Sequence, residues 1–355
     1  MQDYISEITG SDLIAFIAGT VPPLAFMVVF TLFAVWLERK VSAHMQDRLG
    51  PMRVGYHGAL QTLADFLKLL QKEDIVAAAA DRPLFNIAPY LVFVGTFLAY
   101  AMLPFTSIYI GSSADVGIFF ILAVSGFVVA GLLMAGWGSN NKYSLYGAMR
   151  SAAQIVSYEI PTALVVLTML MFYGTMSLGE ISLQQTDMMW NWGILGGPLT
   201  GIAKFLIIPF IFVAFILLFI SSLAETNRTP FDLPESESEL VAGFSTEYSG
   251  VKFAMFFLAE FANMFLVSAV LVVFFFGGYQ SPFGYLGNLF GIEWLVPIEQ
   301  TFWFIIKGLF FVFVQMWLRW TLPRVRVDQL MTICWKYLIP YAFINLLIVG
   351  LILLI

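Results

Sequence analysis

The chain has 355 residues, 60% hydrophobic and 11% charged, with a formal net charge of −6 and a mean hydropathy of +0.87. These values lie far outside the soluble range, so lipid is the solvent for most of the chain. One cysteine (Cys334) and two histidines exclude disulfides, thiolate zinc sites, cysteine-ligated iron–sulfur clusters and a haem pair within it.

The N-terminus, MQDYISEITGSD, is acidic and lacks the basic region of a signal peptide, so the first apolar helix is expected to be retained. Apolar stretches of the roughly 20 residues needed to cross a bilayer predict eight spans, at about 13–37, 88–108, 116–137, 153–175, 203–223, 253–276, 301–320 and 337–355. Few of them alternate at period two, which argues against a β-barrel. The expected fold is an all-α polytopic membrane protein, a single integral membrane domain over 1–355.

Of the 17 Lys and Arg, all but Lys204 and Lys307 fall in or beside the connections 38–87, 138–152, 224–252 and 321–336. An eight-span topology puts these four on one side. By the positive-inside rule that side is cytoplasmic and both termini face the outer, periplasmic side. The outward connections 176–202 and 277–300 hold no Lys or Arg, and Trp294 reads there as an interfacial anchor. Within loop 38–87, Leu60, Leu63, Leu67 and Leu70 recur at helical spacing opposite Gln61, Asp65, Lys68 and Lys72. This predicts an amphipathic helix, too short to span, lying in the inner interface or packed on a partner subunit.

Charge at membrane depth costs several kcal/mol unless compensated. Glu159 and Glu260 each lie about two turns into their spans, and Glu225 closes the inner end of the fifth. They are read as a proton-carrying or field-sensing path, the alternative being acids paired with Arg or Lys to fix helix packing. Lys307 is expected to snorkel outward. The segment AETNRTPFDLPESESELVAGFSTEYSG, 224–250, gathers Glu225, Asp232, Glu235, Glu237, Glu239 and Glu247 beside apolar Phe231, Leu233, Leu240, Val241 and Phe244. Pro234 is read as a helix start that puts Glu235 and Glu239 on one face, with Gly243 as the stop. Asn227-Arg228-Thr229 fits a glycosylation pattern but faces inward and precedes Pro230, so it is set aside. Phosphate loops, dinucleotide fingerprints, HExxH and nucleophile elbows are absent, so redox and nucleotide chemistry belong to other chains.

ERKVSAHMQDRLGPMRVGYHG, LADFLKLLQKED, GWGSNNKYSLYGAMRSAAQIVSYEIP, AETNRTPFDLPESESELVAGFSTEY, FFLAEFANM and PRVRVDQLMTICWKYLIP resemble, in order, signature segments of one family. It is the complex I membrane subunit nearest the quinone site, the H subunit in bacteria and NADH dehydrogenase subunit 1 in mitochondria. Departures are Thr62 for the usual Pro, Ser236 in the acidic motif and Val327 where a Tyr usually precedes Asp-Gln-Leu. The resemblance implies a subunit of a proton-translocating NADH:quinone oxidoreductase in the bacterial inner membrane (mitochondrial if eukaryotic). It implies a quinone chamber of Arg48, Arg53, Asp65, Phe231, Arg324, Arg326 and Asp328, entered near spans one and six and the interfacial helix. It further implies a coupling chain of Glu159, Glu225, Glu235, Glu237, Glu239 and Glu260. No cofactor is expected on this chain; FMN and iron–sulfur clusters would sit on partner subunits, quinone would be the substrate, and the four inner loops would form the partner face. Other readings are the membrane anchor of an energy-converting hydrogenase, a stand-alone cation/proton transporter, and a purely structural anchor.

Overall fold

The computed structural model of the chain describes residues 12–111, 114–185, 188–234 and 237–354, with backbone alone at 12–15, 237–238 and 288–289. Among the described residues eight helices are long and apolar enough to cross a membrane. They are α1 (Asp12–Met45), α3 (Arg82–Tyr100), α4 (Gly117–Gly138), α5 (Lys142–Tyr173), α6 (Ile202–Glu225), α7 (Gly250–Phe275), α8 (Val296–Thr321) and the continuous helical run Val327–Leu353, whose last part is α9 (Ile339–Leu353). The interfacial helix is α2 (Gln61–Gln71).

The helix edges differ from the expected spans for physical reasons. At 1.5 Å per residue the 32 residues of α5 measure roughly 48 Å, against a hydrocarbon core of about 30 Å. Its first turns, 142–152, therefore continue beyond lipid as helix, and Asn141 caps them by accepting the Tyr143 N–H at 2.9 Å. Helix α3 starts six residues earlier than expected, with Pro83 in its first turn, and ends at Tyr100 ahead of Pro104. The connection 321–336 is mostly helical, Val327–Thr332 running into a π-turn, Ile333–Leu338. Pro340 explains the turn: it has no N–H for the Lys336 carbonyl and its ring would strike it. Widening lets the Ile339 N–H bond the Cys334 carbonyl instead.

Helix α7 is the hub, with 72% of its most apolar stretch buried, and it packs against α1, α2, α3, α6 and α8. A cluster of Phe26, Phe30, Tyr100, Phe105, Phe265 and Phe304 fills the space between α1, α3, α7 and α8, with Phe30 and Phe265 centroids 4.8 Å apart. A second core joins α3, α4, α5 and α7 under the acidic segment, where Phe85 stacks on Tyr248 at 4.1 Å.

The charged connections meet at one end of the bundle. Asn140 Nδ2 donates to the Ala79 carbonyl, Asn141 Nδ2 to Glu247 Oε1, the Ile75 N–H to Ser249 Oγ and the Val325 N–H to the Pro230 carbonyl. At the opposite end Gln185 Oε1 accepts from Gly193 and Gly277, and Gln300 Oε1 accepts from Ser107.

The acidic segment sits on α5 through glycine. A Cβ on Gly147 would stand 2.7 Å from Gly243 Cα, and Gly243 itself has φ +56°. Gly147→Val is thus expected to push residues 241–245 off α5, at a cost of about 1–3 kcal/mol. A lower unfolding temperature and faster proteolytic nicking within 237–249 are the readouts.

Candidate functional site

Four charged side chains that the sequence places far apart converge at the charged end. Arg228 Nη1 lies 3.2 Å from Glu38 Oε2, and Arg228 Nη2 lies 3.0 Å from Glu260 Oε1. Arg319 also pairs with Glu38, and the Arg228 guanidinium stands 4.2 Å over the Phe261 ring. Two acids and two bases make a neutral cluster, the condition under which buried charge is tolerated. Glu38 and Arg228 are buried, and Glu260 is largely so. The cluster joins α1, α7, α8 and the turn after α6.

Two cavities meet beside it. One, about 480 Å³, mixes Glu38, Arg39, Arg48, Arg228, Glu260 and Arg319 with Phe253, Phe256, Phe257, Phe261 and Trp320. The other, about 240 Å³, lies between α1, α2 and α7; it is mainly apolar, lined by Leu32, Phe66, Leu69 and Leu258, with Asp65 and Lys68 on its wall. Val35, Arg39, Phe253 and Phe257 line both, so the two adjoin. Helix α2 roofs the second with Thr62, Asp65, Phe66 and Leu69, while Leu60, Leu63, Leu67 and Leu70 are exposed on its other side. Arg39 Nη1 ties α2 to α1 through Asp65 Oδ2 at 2.6 Å.

Partial burial works against ionised Asp65, but hydrogen bonds from Arg39 and Gln61 and the charges of Arg39 and Lys68 outweigh it and hold its carboxyl below the ordinary 3.8. A lowered pKa in the folded state means the tether is present above 3.8 and is lost only as pH falls through the still lower folded value. Wild type is therefore expected to show no inflection from this group at neutral pH. Asp65→Asn removes the tether at any pH; a half-exposed pair is worth about 0.2–1 kcal/mol, so if the cavity is the quinone chamber that the resemblance implies, the KM for quinone is expected to rise roughly two- to fivefold. Steady-state kinetics of both proteins across the neutral range measure it.

Deeper in the bundle, Ser125 Oγ donates to Glu159 Oε1 at 2.6 Å and Thr162 Oγ1 donates to Glu225 Oε1 at 2.7 Å. A small cavity of about 90 Å³ holds Ser125, Thr162, Ser222, Glu225 and Asn263 among apolar side chains. Pro161 leaves the Ser157 carbonyl without its helical donor, and the Cys334 thiol takes that place at 3.1 Å. Tyr158 donates to the Leu330 carbonyl at 3.0 Å.

The expected site residues divide by place. Arg48, Asp65 and Glu260 line the paired cavities, and Phe231 is buried against Tyr158 with ring centroids 5.6 Å apart. Arg53, Arg324, Arg326 and Asp328 are exposed at the same end, Arg324 pairing with Asp232 at 3.2 Å. Burial pushes the Asp232 carboxyl above its ordinary value despite Arg324, Arg319 and Arg228 nearby. Glu239 is held below its ordinary value by the hydrogen bond and charge of Arg150, 2.6 Å away. Glu235 lies outside the described residues, and Glu237 is described by its backbone, which opens a short helix, Glu237–Leu240. Lys307 does not snorkel: its Nζ donates to the carbonyls of Phe276 and Gln280 at 2.7 and 2.9 Å, against the Trp192 ring, closing the carbonyl end of α7.

Glu38, Arg228 and Arg319 are the residues that sequence reasoning did not select. Glu38 reads as a loop residue just past an apolar stretch, and Arg228 hides inside a glycosylation pattern. Their pairing, across 190 positions, leaves no local signal. Among the described residues no group of three or more His, Cys, Asp or Glu is placed to hold a metal ion.

The pattern of the NADH dehydrogenase family matches residues 19–350. The H subunit of the NADH-quinone oxidoreductase of Chlorobium luteolum is 53% identical over 332 residues, 92% of this chain and 86% of that protein. The H subunit numbered 2 of Cytophaga hutchinsonii is 46% identical over 350 residues, 92% of this chain and 96% of its own length. The H subunit of Bacteroides thetaiotaomicron is 43% identical over 328 residues, 92% and 87% of the two chains. An eight-helix membrane bundle, six signature segments and these near-complete matches lead to one conclusion: the chain belongs to the NADH dehydrogenase family as an H subunit of NADH-quinone oxidoreductase.

Proposed function

We propose that this subunit forms much of the quinone chamber of a proton-translocating NADH-quinone oxidoreductase and passes the charge change of quinone reduction to its intramembrane carboxylates. The supporting observation is the adjoining pair of cavities. A quinone is a polar ring on an apolar tail, and here a mainly apolar cavity under α2 opens into one lined by Glu38, Arg228, Glu260 and Arg319. The tail fits the first, the head passes toward the second, and entry from the bilayer lies between α1, α2 and α7. Arg48 and Asp65 belong to this chamber, Phe231 packs on Tyr158 and lines neither cavity, and the exposed Arg53, Arg324, Arg326 and Asp328 wait on partner subunits to close it.

Quinone reduction takes up two electrons and two protons, so negative charge appears beside the cluster until the protons arrive. FMN and iron–sulfur clusters on partner chains supply the electrons. A new anion competes with Glu38 and Glu260 for Arg228, which loosens an ion pair that holds α1 to α7. Glu225, Glu159 and the acids Glu235, Glu237 and Glu239 carry that change onward, as proton exchange or as altered field. On this reading the charged end faces the cytoplasm of a bacterial inner membrane, with both termini outside and other complex I subunits bound there; the excess of Lys and Arg at that end supports the orientation.

A photoreactive quinone analogue tests this on the intact complex. Labelling is expected on α1, α2, the start of α7 or the 224–250 segment, displaced by excess quinone. Labelling confined to the lipid-facing side of α9, or to other subunits, rejects the chamber.

A further inference from the structure

We infer that Gln154 is the positioning residue that holds Arg228 between Glu38 and Glu260, an inference that rests on the chamber reading above. The turn after α6, residues 224–231, carries Arg228 near its middle. It has few means of its own to fix that side chain: the Phe231 N–H bonds the Arg228 carbonyl at 2.8 Å, while the Arg228 N–H reaches the Leu223 carbonyl at 3.4 Å. Beside the Asn227 and Pro230 contacts, an amide from α5 ties both ends of the turn to the bundle. Gln154 Nε2 lies 2.8 Å from the Ala224 carbonyl, 2.9 Å from the Phe231 carbonyl and 3.1 Å from Asn227 Oδ1. The amide thus clasps both ends of the turn and a point next to Arg228.

Its orientation follows from its surroundings. Two of the three neighbours are backbone carbonyls, which only accept, so the NH2 group must face them. Gln154 is 1% exposed, so its loss leaves buried carbonyls without their donor. Asn227, with φ +51°, is anchored in turn by donating from Nδ2 to Ser151 Oγ, one helical turn before Gln154. The chain of contacts therefore runs from α5 through the turn to the guanidinium, and on to both carboxylates. Gln154 itself hydrogen-bonds the turn and not the two carboxylates. Its effect on the chamber passes through Arg228.

A double-mutant cycle on the assembled complex separates this from simple packing. Gln154→Leu removes the amide and keeps apolar bulk; Arg228→Gln removes the guanidinium. NADH oxidation by an artificial acceptor, which bypasses quinone, verifies assembly in each. Quinone-dependent kcat/KM is expected to fall roughly 10- to 100-fold in Gln154→Leu, as for a misplaced binding group, and no further than Arg228→Gln alone in the double variant. Should Gln154→Leu fail to assemble, Gln154→Asn, an amide one methylene short, carries the same cycle. Effects that add, or unchanged quinone kinetics in the Gln154 variants beside a damaged Arg228→Gln, overturn this inference and leave the chamber standing. Unchanged kinetics in Arg228→Gln overturn the chamber reading, and this inference with it.

Discussion

Replacing Arg228 by glutamine is expected to cut quinone reduction by an assembled complex to a few per cent or less, while NADH oxidation by an artificial acceptor is kept. Arg228 is buried and shared by two carboxylates on different helices, so its removal leaves Glu38 with Arg319 and Glu260 with no other ion pair among the described residues. Breaking a buried pair by deleting one partner costs about 3–5 kcal/mol, which is roughly two to three and a half powers of ten if it falls on the bound state. Lysine is a poor substitute. A single ammonium cannot span both acids as the flat guanidinium does, nor stack on Phe261 at 4.2 Å. Neutralising the orphaned acid as well is expected to recover part of the loss, so Glu260→Gln with Arg228→Gln does better than Arg228→Gln alone. The measurement is quinone-dependent kcat and KM in membranes with matched complex content. Wild-type kinetics in Arg228→Gln reduce the cluster to helix packing.

The second large effect is expected from Glu159→Gln. The amide oxygen still accepts the Ser125 hydroxyl, so the bond at 2.6 Å survives and the fold with it. What disappears is the ability to hold a charge or a proton two residues from the Pro161 break in α5. On the proposed coupling path both quinone reduction and proton movement fall to about a tenth or less, the scale on which a positioned proton carrier acts. Ser125→Ala, which removes only the hydroxyl, gives a smaller change in the same direction. Proton uptake by vesicles, read beside quinone reduction, checks both rates. Full activity with full pumping makes Glu159 a packing residue.

How far the sequence foretold the molecule varies along the chain. The eight spans and α2 are legible because lipid demands long apolar stretches and the Leu60–Leu63–Leu67–Leu70 stripe has helical spacing. Helix ends are not, since α5 continues past the lipid through Tyr143, Ser144 and Tyr146, where hydropathy has nothing to report. The loop expected at 321–336 is largely helical because Val327–Thr332 runs into a π-turn that accommodates Pro340. Glu159, Glu225 and Glu260 stand out as acids inside apolar runs. Arg228 and Glu38 do not, because their meaning lies in partners from other helices. Lys307 was misplaced for a related reason: the carbonyls that hold it belong to the end of α7.

The cross-linked charged end has a bearing on assembly. Asn140, Asn141, Ser249 and Pro230 stitch four connections into one surface within this chain alone. On the proposed function a hydrophilic partner docks on a template rather than on loose loops, so the ordering entropy that would otherwise weaken docking is already spent during folding of this subunit. Membrane-arm maturation is therefore expected to precede docking, and damage to a single stitch to appear first as slow assembly, before any change in catalysis.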